Sequence, residues 1–189
     1  MFRWNNRNRL RTLKVGGGGD VLVLEAGVEK ARIYIRNRDI EKVVCFFRGS
    51  AVGTIRKNQR YHLSVGNGNI KRNVYHYLKP DGPLPTLRLG ITKHCGNGTW
   101  SSLPHDFELD TEAGFEEAFF YLLKGATGRA VQVGRGVWCD NDPVDQVWPV
   151  RDRSWSTIPM GYHPVVAEPG VHVSYIWAYL AKKKKWEKI

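Results

Sequence analysis

No long segment of this 189-residue chain carries the 3.6-residue apolar repeat over three turns; its apolar residues come in short runs cut by turn residues. Strand-like runs cover residues 21–24, 31–35, 42–47 and 51–55, with Arg48-Gly49-Ser50 and Gly66-Asn67-Gly68-Asn69 as turns. Beyond Pro80-Asp81-Gly82-Pro83-Leu84-Pro85 they resume at 86–92, 118–123, 130–138, 144–150, 155–158 and 171–180. Many short strands at fairly even spacing predict an all-β sandwich or barrel. The punctuation divides the chain into a basic, flexible arm (1–19) with Gly16-Gly17-Gly18-Gly19 as its joint, a β-domain (20–80), a larger β-barrel (81–181) and a basic tail (182–189).

Composition narrows the class. Hydrophobic residues at 42% and aromatics at 12% supply a core. No run reaches the roughly 18 apolar residues that span a bilayer, and the N-terminus lacks the apolar region of a signal peptide. Cys45, Cys95 and Cys139 are odd in number and widely spaced, which suits free thiols in a cytoplasmic, reducing setting. The net charge of +11 is uneven: residues 1–80 hold 17 Lys+Arg against 5 Asp+Glu, and residues 81–189 hold 12 against 13. A basic N-terminal part invites a polyanion such as nucleic acid, or serves as a solvated, solubilising surface; Phe2-Arg3-Trp4-Asn5-Asn6-Arg7-Asn8-Arg9 matches no nucleic-acid motif.

Pro159-Met160-Gly161-Tyr162-His163-Pro164-Val165 places one imidazole after a Pro-x-Gly turn between two strand-like runs. That is a way to present a ligand into a small barrel, and equally a way to pack a lone histidine. A metal needs further donors. Strand alternation puts Glu117, Phe119 and Tyr121 on one face and Glu116, Ala118 and Phe120 on the other, so a carboxylate leads into an aromatic strand, where burial is costly without a counter-ion or metal. His105 lies upstream, in Trp100-Ser101-Ser102-Leu103-Pro104-His105-Asp106-Phe107-Glu108. His105, Glu117 and His163 make three N/O donors, the number a catalytic divalent site commonly takes from protein. His62, His76, His94 and His172 have no matching partners and read as structural or exposed.

The order of these segments resembles the cupins, in which His-x-His, a Glu and a His after a Pro-Gly turn hold a divalent metal inside a jelly-roll barrel. More closely, Gly98-Thr99-Trp100-Ser101-Ser102-x-Pro104-His105, the Glu116-Glu117-Ala118-Phe119-Phe120-Tyr121 strand and Pro159-x-Gly161-Tyr162-His163-Pro164-Val165 resemble the 5-deoxy-glucuronate isomerase family of inositol catabolism. The 5-keto-4-deoxyuronate isomerases of pectin breakdown share the barrel. Val137-Trp138-Cys139-Asp140-Asn141, Ala167-Glu168-Pro169-Gly170 and Tyr175-Ile176-Trp177 continue the likeness, which covers roughly residues 74 to 181. The resemblance implies a cupin fold, with 20–80 as a degenerate, truncated cupin half. It also implies a divalent metal (Zn, Mn, Fe or Ni), a sugar-acid or deoxy-sugar substrate, aldose–ketose isomerisation and a homo-oligomer.

One corner departs from the family. His-x-His should follow the Trp-Ser-Ser segment. With one residue missing, His105 takes the first position and Phe107 the second; with the spacing from Trp100 kept, Asp106 and Glu108 stand there instead. Glu117 and His163 carry over directly. The metal would polarise the carbonyl and neighbouring hydroxyl, while a carboxylate that is not ligated (Glu117, Asp106 or Glu108) moves the proton between adjacent carbons. Tyr162 either hydrogen-bonds the sugar or supports the turn as a rim aromatic. The competing readings are a cupin that has lost turnover and serves as a binding or structural protein, and a nucleic-acid-associated protein using residues 1–80.

Overall fold

The computed structural model describes residues 9–96 and 116–181. The N-terminal strands form one antiparallel meander in sequence order: β1 (Lys14–Gly18), β2 (Val21–Ala26), β3 (Glu29–Arg36), β4 (Asp39–Phe47) and β5 (Ser50–Arg56). The remaining strands are β6 (Tyr61–Val65), β7 (Arg72–Leu78), β8 (Leu87–His94), β9 (Glu117–Lys124), β10 (Ala130–Val137), β11 (Pro143–Val150), β12 (Trp155–Ile158), β13 (Met160–Tyr162), β14 (Val165–Ala167) and β15 (His172–Leu180). They build a six-stranded sheet in the order β12-β9-β15-β8-β7-β6, and a smaller sheet in which β10 pairs with β11, β13 and β14.

The six-stranded sheet is the middle of three layers, and alternation along its strands decides what each face meets. Leu87, Leu89 and Ile91 of β8, Ala118, Phe120 and Leu122 of β9, and Ile176 and Ala178 of β15 pack against Leu22, Leu24, Ile33, Ile40 and Val43 of the meander. Phe119, Tyr121 and Leu123 of β9 and Val173, Tyr175 and Trp177 of β15 face Ala130, Val165 and Ala167 of the small sheet, closing a barrel. Covered on both sides, β9 is buried from Glu117 to Leu123. A strand buried on both faces is expected to read as a continuous apolar run. Each large apolar side chain so removed from water contributes about 1.5–3 kcal/mol.

Two expectations change. The segment taken as a flexible arm is structured from residue 9 onward: Leu13 is core, and Gly16, Gly17 and Gly18 lie in β1, paired with β2. The glycines permit this because at Gly17 (φ +77°) a Cβ would stand 2.4 Å from the Val21 carbonyl oxygen. The Pro80–Pro85 break does not separate two sheets, because β7 and β8 on either side of it pair directly. Residues 1–8 and 182–189, the rest of the expected arm and the tail, lie outside the described residues.

Buried carboxylates tie the layers together. Glu29 accepts from the Thr86 and Leu87 amides and the Thr86 hydroxyl (2.6–3.0 Å). Asp39 meets Lys93, Lys57 and Arg60 at 2.7, 2.8 and 3.2 Å. Part of the N-terminal basicity is therefore engaged: Arg38 pairs with Asp152, and Arg9 with Asp140 and Asp142. All three cysteines are free. Among the described residues no helix is long and apolar enough to cross a membrane.

Candidate metal centre in the barrel

Glu117 and His163 meet inside the barrel. Glu117 opens β9 on the face shared with Phe119 and Tyr121, and Oε2 stands 3.7 Å from His163 Nε2, with side chains only 6% and 2% exposed. Burial pushes the Glu117 carboxyl up to about 8. Among the described residues its Oε2 has no hydrogen-bond partner. An orphaned buried carboxylate oxygen beside an imidazole nitrogen is costly as it stands, and it is the arrangement a divalent cation relieves.

The turn that delivers His163 is set by backbone constraints. β10 runs antiparallel to β13 and β14 in one register, Arg135↔Tyr162 and Gly136↔Gly161 on one side, Gln132↔Val165 on the other. At Gly161 (φ +108°) and Gly136 the chains approach so closely that a Cβ on Gly136 would lie 1.8 Å from the Met160 carbonyl oxygen. Pro164 then holds His163 in extended backbone. Neighbouring side chains alternate across a strand, so His163 points into the barrel. Tyr162 shares the opposite face with exposed Arg135 and is half-buried, outside the Glu117–His163 pair.

His105, Asp106 and Glu108, the remaining candidates, lie outside the described residues, as do Phe107 and Trp100. Among the described residues no group of three His, Cys, Asp or Glu is placed to hold a metal. Glu117 and His163 thus fit a divalent ion as two donors, with any third donor to come from elsewhere.

The barrel wall carries further polar residues: His76 and His94, expected to be structural or exposed, are buried, and Arg88 carried no sequence signal of its own. His76 packs edge-on against Trp177 (5.1 Å) and His94 against Tyr175 (6.0 Å). Burial lowers both imidazoles to about 4, keeping them neutral near pH 7. Trp177 fits over β8 because position 90 is glycine; a Cβ there would be 2.1 Å from the indole. Arg88 is fully buried and donates to the Leu84 and Leu87 carbonyls at 3.4 and 3.2 Å. The registers Arg88↔Tyr179 and Tyr179↔Glu117 put it on Glu117's own rung, two strands away, or about 10 Å. Alternation counted from Glu117 through β15 to β8 was the available signal for these residues.

The sequence model of the KduI/IolB family matches residues 19–189. The chain belongs to the KduI/IolB family. The match reaches further back than residues 74 to 181, the span of the motifs, and takes in β2 to β5 of the N-terminal meander. Among curated relatives, this family member is 30% identical over 156 residues to the 5-deoxy-glucuronate isomerase of Geobacillus kaustophilus (79% of this chain, 55% of that protein). It is 29% identical over 156 residues to the enzyme of the same name from Geobacillus thermodenitrificans (79% and 56%). The chain thus spans about half the length of the curated relatives it matches. An IolB-like protein of Salmonella typhimurium superposes with a TM-score of 0.63 at 20% identity, covering 96% of this chain and 76% of that one. The fold is the all-β cupin expected of this KduI/IolB member.

Proposed function

We propose that the chain is a metal-dependent cupin that isomerises a uronate-type sugar between aldose and ketose, a reading supported by relatives named 5-deoxy-glucuronate isomerase. The observation that carries the reading is the buried Glu117–His163 pair at 3.7 Å, with a carboxylate oxygen that no described residue hydrogen-bonds. Glu117 and His163 would hold the ion. Bound there, a divalent metal supplies electrostatic stabilisation for charge developing on the sugar's carbonyl oxygen. Proton transfer between adjacent carbons then falls to a carboxylate that is not ligated, Asp106 or Glu108 if Glu117 is engaged.

The protein's own part is positioning and water exclusion. Phe119, Tyr175 and Trp177 line an apolar wall beside the pair. Arg88 supplies positive charge on Glu117's rung, at a spacing suited to the acid end of a six-carbon uronate whose carbonyl end lies at the pair. Tyr162 would act on the rim of the turn rather than at the pair.

The test is conversion of 5-deoxy-glucuronate by the purified chain, followed by NMR with Zn2+, Mn2+, Fe2+ or Ni2+ added. Conversion that EDTA stops and Glu117→Gln abolishes supports the reading. The second reading, a binding protein without turnover, is favoured by the altered corner, where His105/Phe107 or Asp106/Glu108 stands in place of the family's His-x-His. Stoichiometric metal and sugar binding with no conversion would select it. Absence of both metal binding and conversion would overturn the metal-dependent isomerase.

A further inference from the structure

Gln132 is fully buried in the middle of β10, and its amide does what the backbone ladder cannot. The register from Arg135↔Tyr162 to Gln132↔Val165 puts Val133 opposite Pro164. The Val133 amide donates to the Pro164 carbonyl at 2.9 Å, but Pro164 has no N–H to return to the Val133 carbonyl. The two hydrogens of Gln132 Nε2 serve three carbonyls, one of them shared: that of Val133 at 2.9 Å, that of His163 at 2.6 Å and that of Pro164 at 3.1 Å. These three carbonyls fix which end of the amide is nitrogen. On its other side, Gln132 Oε1 accepts from the Tyr121 hydroxyl at 2.8 Å. Tyr121 lies on β9, on the same face as Glu117 and one turn of the pleat beyond Phe119.

We infer that Gln132 and Tyr121 are positioning residues for the metal pair. They form a hydrogen-bonded brace from the strand that carries Glu117 to the backbone of His163, and so set the separation of the two donors. The inference rests on the metal reading above but adds residues that touch neither ion nor sugar. Outer-shell partners that orient ligands typically change metal affinity 10- to 100-fold when removed. The brace also explains how a proline is tolerated beside the ligand: its missing donor is replaced by a side chain that grips His163 as well.

The experiment is isothermal titration of Zn2+ into the EDTA-stripped full chain and three variants, each checked for cooperative melting. Gln132→Met keeps the side-chain length and removes all the hydrogen bonds. Gln132→Glu keeps the acceptor for Tyr121 and loses the N–H donors. Tyr121→Phe deletes one oxygen. The expected result is a Zn2+ Kd raised about 10- to 100-fold in both Gln132 variants and by a smaller factor in Tyr121→Phe. Variants that melt earlier yet bind Zn2+ with the wild-type Kd would overturn the inference, since Gln132 would then brace only the fold. If Gln132→Met does not fold, Tyr121→Phe decides the matter by the same criterion. Wild-type protein that binds no Zn2+, Mn2+, Fe2+ or Ni2+ is a different failure, that of the metal reading, and it removes the inference with it.

Discussion

Glu116 and Glu117 stand side by side where β9 begins, yet their carboxylates enter different layers. Glu116 turns toward the N-terminal segment, where the backbone amides of Arg11, Thr12 and Leu13 donate to it at 2.8–2.9 Å. Glu117 turns into the barrel, 3.7 Å from His163, with Oε2 accepting no hydrogen bond from the described residues. Both are buried acids, and a buried acid without compensation costs several kcal/mol. The satisfied one is a fastener between layers. The other is a cost that stability alone does not explain, and such costs concentrate where a site binds something.

Breaking the fastener should have the largest effect. Glu116→Ala strips the acceptor from three amides and is expected to destabilise the protein by about 3–5 kcal/mol, with β1 detaching first. Urea unfolding measures it, and a loss below about 1 kcal/mol would mean Glu116 is not what holds residues 9–13.

Acid should attack the barrel face next. His76 and His94 have folded values lowered by burial to about 4, against 6.5 in the unfolded chain. Between those values the unfolded chain binds more protons, so their contribution is present above pH 6.5 and lost as pH falls toward 4. The loss should amount to about 3 kcal/mol per histidine at the acid end. Melting temperatures between pH 7 and 4.5 test this; a flat profile, or one unchanged by His76→Leu, would contradict it.

Glu117 sharpens the contrast with the opposite sign. Its carboxyl is raised to about 8 from 4.5, so in metal-free protein its contribution is present below pH 4.5 and lost as pH rises through 8. Glu117→Gln should therefore stabilise metal-free protein at pH 8 by about 1–2 kcal/mol while removing divalent-ion binding. A destabilised variant would place Glu117 in the same class as Glu116. The smallest effect belongs to the half-exposed rim pair. Arg38→Ala breaks a bidentate contact with Asp152 (2.6 and 2.9 Å) and should cost about 1 kcal/mol or less in thermal unfolding; a larger loss would show that Asp152, which also accepts from the Leu123 amide, depends on Arg38 for its place.

The parts of this structure that were legible in the sequence are those where alternation and burial agree. β9 shows itself through Phe119, Phe120 and Tyr121, and its period of two separates Glu116 from Glu117 correctly. β1, β6 and β7 were not legible: β1 is mostly glycine, and β6 and β7 mix Tyr61, His62, Ser64, Asn73 and His76 at the sheet's edge, where half-exposed strands need no apolar run. His163 was found because a Pro-x-Gly turn announces it. Gln132 was not, because its importance comes from a missing N–H on Pro164, thirty-two residues away, which is visible only once the register is known. Arg88 was hidden, and His76 and His94 were legible only as structural or exposed, for a related reason: alternation says which residues share a face, and packing says which face becomes the interior.

Elemental analysis of the purified chain tests most directly whether Glu117 and His163 are metal donors. The predicted result is about one divalent ion per chain in the wild type and none in the Glu117→Ala/His163→Ala double variant, with both proteins folded. A wild-type protein that stays metal-free after expression and dialysis with Zn2+, Mn2+, Fe2+ and Ni2+, or a double variant that retains its ion, would contradict it.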